Sequence, residues 1–456
     1  MWWSCRRSNG KCNSKIKNMA NQELGTVTTV ASLLKSDSLI VEVGGSIRRI
    51  TVEEFLAAVN SGQTQLLHSV AWGIPIKDEL QSSPAWGMVG NTAAYNAYKA
   101  QVGRYLMDAN GRAAKLHPNN SGVFADGTTL DETKGNVVVI APKLYYLYQV
   151  DAETNIPYLW MSQQPISKRF IGTADNGEKI VVGAYQGSIV SSKLVSRSGV
   201  DFFTGGYSIN AYWNAAQAFG SNWGIVDYDI MRWIGMMCLC ETGGNANIQA
   251  GIGQGVGGAA GLDWTAFLAS TTLRKTGGTK GLGDATGSVA ISDSDAKSDS
   301  SHVSVLGVED WWNSQWNFIQ GLFCGNSANE GQDGTEMFVY TGNRMPSASE
   351  LASHPNGLYR KLTRLASSGY VSKMLKGEYF DLIPSGLSGD SSSYWCNYFW
   401  GNDTGQVCLV GGSADNGAGS GPFYVRSLDA WSFTDSAFGA RPAFYGPVTI
   451  VGGGSI

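Results

Sequence analysis

The chain has 456 residues, enough for two or three domains of the usual ~100–200 residues. Only 15% of them are charged while 43% are hydrophobic and 11% aromatic, the reverse of a disordered composition. A net charge of −4 offers no basic footprint for nucleic acid or an anionic membrane surface, and no apolar run approaches the ~20 residues of a membrane span.

In chain order, residues 1–18 carry Arg6, Arg7, Lys11, Lys15 and Lys17 and no acid, and no apolar signal-peptide core follows, so a disordered basic extension is expected. Residues 19–65 read as a small β-then-α unit: apolar and polar residues alternate from Thr26 to Ile50, and Thr51 with Glu54 makes a capping box before a helical run. Residues 66–165 are expected to form a β-rich connector domain. Its strand-like runs at 136–142 and 143–150 are punctuated by turns at 108–111 and 125–127. Two helices are predicted next, one from the cap Ser208 to Gly220 and one from the cap Asp227 to Gly243 and Gly244, each with apolar residues at helical spacing. Residues 250–302, rich in Gly, Ser and Asp, read as long surface loops.

Seven cysteines at odd spacing make a poor disulfide framework and read as small core residues; a pairing of Cys396 with Cys408 would need a hairpin between them. The string Gly253-Gln-Gly-Val-Gly-Gly258 follows a helix where a dinucleotide site needs a strand. His68, His117, His302 and His354 lack metal-ligand spacing, and no nucleophile elbow occurs, so no catalytic or metal residue is expected.

The segment Gly307-Val-Glu-Asp-Trp-Trp-Asn-Ser-Gln-Trp-Asn-Phe-Ile-Gln-Gly321 resembles the Gly-x-Glu-Asp-Trp pattern of the C-type-lectin-like fold shared by formylglycine-generating enzymes and phage tropism determinants. It departs at Asn313-Ser314-Gln315 and at Phe318. Leu409-Val-Gly-Gly-Ser413, Gly421-Pro-Phe-Tyr424 and Phe438-Gly-Ala-Arg-Pro-Ala-Phe-Tyr445 are similar to that fold's closing motif, in the same order. Met19 opens a run that looks like a phage-protein start, and segments at 108–116, 121–135 and 156–162 resemble tail proteins of gut-bacterial phages. The resemblance implies an α+β chain: an attachment unit at 19–65, the connector, and a C-type-lectin-like receptor-binding domain at 166–456.

Within that family, residues 391–444 resemble the variable region of proteins diversified by retroelements. The resemblance makes Tyr394, Asn397, Tyr398, Asn402, Asp403, Asp415, Asn416, Tyr424, Ser427, Asp429, Ser432 and Asp435 ligand contacts, with Trp395, Trp400 and Trp431 as anchors. Tyr and Trp give contact area at low entropy cost, while Asn and Ser adapt their hydrogen bonds, as in antibody paratopes. Trp316, Gly439 and Arg441 are expected to hold the framework.

The function implied is non-enzymatic: a phage tail protein, trimeric and carried on the virion tail after assembly in the host cytoplasm, that binds a bacterial surface glycan or protein beside other tail proteins. The alternatives are a structural tail or baseplate protein and a glycan-active enzyme. No cofactor is expected. Calcium is the one ion that sugar-binding relatives would bring in, and Trp400-Gly-Asn-Asp403 only approximates their Trp-Asn-Asp motif.

Overall fold

The computed structural model describes residues 4–5, 38–43, 46–51, 67–77, 87–151, 155–173, 179–202, 206–328, 332–340, 359–453 and 455–456. Strand exceeds helix, 37% to 16%, which fits an α+β or mostly-β class. In the first unit Ser38–Val43 and Ser46–Thr51 pair as an antiparallel hairpin. Ser4–Cys5 adds to it as a third strand, so part of the basic extension has regular structure. The helix expected after Thr51 lies outside the described residues.

Two eight-stranded sheets dominate. The first runs in the order Trp223–Ile225, Pro442–Phe444, Lys179–Gly183, Asn136–Pro142, Gly103–Met107, Arg112–His117 and Thr449–Val451, with Asn120–Phe124 paired to Arg112–His117. This corrects the expected boundary at 165. Asn136–Pro142 pairs with Lys179–Gly183, and the last strand returns to Arg112–His117, so the connector and the C-terminal region share one sheet. A separate five-stranded sheet, built from segments between Trp72 and Gly172, flanks it.

The second large sheet runs Tyr359–Thr363, Glu336–Tyr340, Trp316–Cys324, Val407–Gly411, Gly421–Asp429, Tyr398–Gly401 and Gly369–Tyr370, with Phe438–Gly439 parallel to Trp316–Cys324. Successive strand residues face opposite sides. Phe423 and Val425 accordingly point into the main core, while Tyr424 joins Trp316, Phe318 and Leu409 in a second apolar cluster on the other face.

Both predicted helices form where their caps place them. Ser208 accepts from the Ala211 amide at the start of Ile209–Phe219, whose Tyr212 and Ala216 pack on the second cluster. Asp227 caps Tyr228–Glu241 through the Ile230 amide. Instead of one apolar stripe, this helix buries all its residues except Asp229 and Glu241, because it lies inside the main core with sheet residues around it.

Residues 250–302 are more than surface loop. Asp263 caps the helix Trp264–Ala269, and Phe202, Val256, Leu262, Phe267 and Leu273 form a small core with Ala414. The Gly253–Gly258 string packs against the 313 and 414 backbone, and a Cβ on Gly257 would meet the Ala414 carbonyl at 2.2 Å. Among the described residues, no helix is long and apolar enough to cross a membrane.

Candidate binding surface

The two sequence motifs meet in the fold, and Arg441 joins them. Its fully buried guanidinium donates to the carbonyls of Gly183 and Ala184 at 3.0 Å each and to Glu309 at 2.5 Å. Burial pulls this group down to about 10 despite the nearby Glu309 and Asp310, which leaves it charged at neutral pH. Gln315 donates to the carbonyls of Ser436 and Phe438 at 3.1 Å, tying the first motif to the start of the closing motif a second time. Asn313 adopts a left-handed backbone (φ 54°), which Asn tolerates better than most residues. Its side chain donates to the carbonyls of Gln254 and Gly258, and Ser420 donates to its oxygen. Two separate segments, the Gly253–Gly258 string and the turn at Ser420, are thus locked to one residue.

His302, Glu309 and Asp310 bring their ligand atoms within 4.8 Å of one another, the geometry of a candidate cation site. Their hydrogen bonds favour another role. Glu309 already accepts from Gly277 N, Thr279 N and Thr279 Oγ1 at 2.6–2.7 Å, and Asp310 accepts from Val303 N while bonding His302 Nδ1 at 2.7 Å. Donors fill the positions that a cation would need. Burial works against a charged His302, but Asp310 and Glu309 outweigh it and push the imidazole up to about 9.

A folded-state value above the unfolded ~6.5 means stability that is complete below that pH and lost as pH rises through 9. Denaturant titrations are expected to show a loss on the order of 3 kcal/mol between pH 6 and 9.5. His302→Gln keeps a hydrogen bond to Asp310 without titrating, and should flatten the profile. A wild-type profile flat over that range would refute the ion pair.

On the outer face of the C-terminal sheet, aromatic side chains form a ledge. Tyr398 sits between Tyr370 and Trp400, with ring centroids 5.0 and 4.9 Å away. Trp400, 37% exposed, donates its indole N–H to the Tyr424 hydroxyl, and Tyr424 rests on buried Trp316 at 4.5 Å. Each ring is therefore fixed before any ligand arrives. Across the parallel pairing from Trp400 lies Arg426, held by Asp429 at 2.5 and 2.7 Å and stacked over Phe438. Phe433, 41% exposed, continues the ledge beyond Phe438. The 413–420 turn borders it, since a Cβ on Gly419 would lie 3.7 Å from Tyr398.

The expected contact residues divide in two. Trp400, Asp403, Asp415 and Ser432 are exposed, and Tyr398, Asn402, Asn416 and Asp435 are half-buried at the surface. Tyr394, Trp395, Asn397, Tyr424, Ser427, Asp429 and Trp431 are buried, which corrects their assignment as contacts. Tyr394 donates to the Gly244 carbonyl, Trp395 packs edge-on against Phe423, and Asn397 donates to the Ser420 carbonyl. Ser427 receives Arg364, Asp429 neutralises Arg426, and Trp431 joins the second apolar cluster. They are Tyr, Trp, Asn, Ser and Asp by composition but framework by position.

Asn402 spends its oxygen on the Thr404 and Gly405 amides, and Asp403 accepts from Ser327, so this stretch serves a turn. Tyr370, Arg426 and Phe433 belong to the surface and were not anticipated. Tyr370 precedes the 391–444 window, whereas Phe433, an apolar ring among polar loop residues, was a legible signal. No family model matches the chain, and no curated protein matches it in sequence.

Proposed function

We propose that the chain is a non-enzymatic receptor-binding protein of a phage tail. In this reading a C-terminal C-type-lectin-like domain attaches the virion to a bacterial surface molecule through the Tyr398–Trp400 ledge and the loops beside it. The observation that carries the proposal is an immobilised aromatic pair, half-buried Tyr398 and exposed Trp400, bordered by polar turns at 402–404, 413–420 and 432–436. Rigid aromatic anchors with adaptable polar neighbours are what hot-spot recognition needs. The reading further assigns the chain to the virion tail, in contact with other tail proteins, as a homotrimer. Three copies would raise avidity where each contact is weak.

The test replaces Tyr398, Trp400 and Asn416 together by alanine. Tyr398 packs on the second apolar cluster, Trp400 bonds Tyr424 and Asn416 accepts from Ser413, so the cost exceeds the ~0.5 kcal/mol of a free surface substitution but stays below that of truncating a buried Trp. The melting temperature is therefore expected to fall moderately with folding retained, while attachment of the purified chain to intact host bacteria is lost. Unchanged attachment would remove this surface from the function and favour a structural tail role.

A further inference from the structure

At the centre of the C-terminal sheet, Cys324 on Trp316–Cys324 and Cys408 on Val407–Gly411 face each other with sulfurs 3.5 Å apart. The two strands pair antiparallel with a register shift between Phe318 and Phe323, where Gly321 takes φ +72°, and the chain beyond it delivers Cys324 toward Cys408. Cys396, the partner that the sequence offered for Cys408, is buried elsewhere and does not make this contact.

Arg364 is the second observation. Its guanidinium, 2% exposed, donates to the carbonyl of Gly325, next to Cys324, and to the carbonyls of Gly405 and Ser427. Among the described residues it makes no ion pair, and its buried Nε–H has no hydrogen-bond partner. A buried cation without a carboxylate is costly unless another anion lies near. The ionisable groups that feel its charge are the buried thiols of Cys324 and Cys408 and the exposed carboxylate of Asp333, and of these the Cys324 thiol stands next to the Gly325 carbonyl that the guanidinium holds.

We propose that Cys324 and Cys408 form a redox-active thiol pair that closes to a disulfide across the sheet, with Arg364 as the positioning residue beside Cys324. The two sulfurs are unequal partners. Burial opposes ionisation of Cys324, but the Cys408 hydrogen bond, Arg364 and Ser427 outweigh it and hold this thiol below its ordinary value. Burial and the neighbouring Cys324 drive Cys408 far up. Cys324 is thus the attacking thiolate and Cys408 the resolving thiol.

With a small disulfide such as oxidised glutathione as oxidant, the Cys324 thiolate attacks one sulfur, and the departing glutathione thiolate takes up a proton. The Cys408 sulfur then gives up its proton and displaces the second glutathione from Cys324. Two electrons pass from the cysteine pair to glutathione disulfide, and two glutathione thiols leave. The strands must draw the sulfurs together to ~2.05 Å.

The experiment treats the full chain with oxidised glutathione in two arms, one native and one during refolding, because Cys324 is only 5% exposed and Cys408 fully buried. Peptide mapping without reductant is expected to find the Cys324–Cys408 link, with two fewer titratable thiols and a higher melting temperature. Cys408→Ser should stall as a glutathione adduct on Cys324, and Cys396→Ser should change nothing. In Arg364→Lys, which keeps the charge but not the planar fork, the pH midpoint of the reaction is expected to move up toward the ordinary ~8.5. Free thiols at both positions in both arms, or a Cys396–Cys408 link, would overturn the proposal. An unmoved midpoint in Arg364→Lys would remove Arg364 from it.

Discussion

Arg441→Met is expected to lower the unfolding free energy by about 3–5 kcal/mol, the cost of breaking a buried charged network by removing one partner. Methionine fills much of the volume but donates nothing, so the carbonyls of Gly183, Ala184 and Glu309 lose a shared donor inside the core. Those carbonyls belong to segments far apart in sequence, one at 183–186 and one in the 307–321 motif. Their joining is therefore what is lost. Urea titration should show a lower midpoint, and a change under about 1 kcal/mol would mean that water replaces the guanidinium. Gly439→Ala is a companion two residues away, on the strand Phe438–Gly439: its Cβ would lie 2.1 Å from Gln315 Oε1 and 2.7 Å from Gln186 Nε2.

Trp316→Ala is expected to cost a similar ~3–5 kcal/mol, the range for truncating a buried Trp. Its ring, 2% exposed, supports Tyr424, whose hydroxyl in turn receives the Trp400 indole. Stability and attachment should therefore fall together, unlike in the Tyr398, Trp400 and Asn416 variant, where they separate. Trp316→Phe restores most of the floor and is expected to recover most of both losses. If Trp316→Ala keeps its melting temperature and loses only attachment, Trp316 contacts the receptor and is not framework.

How far the surface was legible depended on the kind of feature. Asp415 and Asn416 lie at the surface, as turn-forming residues between short strands usually do, and Trp400 reaches solvent from within the strand Tyr398–Gly401. Asp429 and Ser427 carry the same residue types but sit buried on Gly421–Asp429, where Asp429 pairs with Arg426 three residues away and Ser427 answers the buried Arg364. Residue type alone cannot separate a loop contact from a polar group recruited to satisfy a buried cation, because that partner is remote in sequence: Arg364 lies 63 positions from Ser427. Tyr370 joins the ledge for the same reason, through a strand pairing with Tyr398 that no local pattern announces.

By itself the sequence determined what depends on neighbours a few residues away. The caps Ser208 and Asp227 and the stop at Gly220 placed two helices, and the β-branched run at 136–142 placed a central strand. It also marked the two motifs as special, through clustered tryptophans and glycines. Only the tertiary structure decided that Thr449–Val451 closes on Arg112–His117, which abolishes the boundary expected at residue 165. It alone decided that Cys408 meets Cys324 instead of Cys396, and that Arg441 spans segments more than 250 residues apart. Caps and periodicity are set within a few residues of chain, whereas strand pairing and buried-charge satisfaction are chosen among all segments at once by the shared core they close.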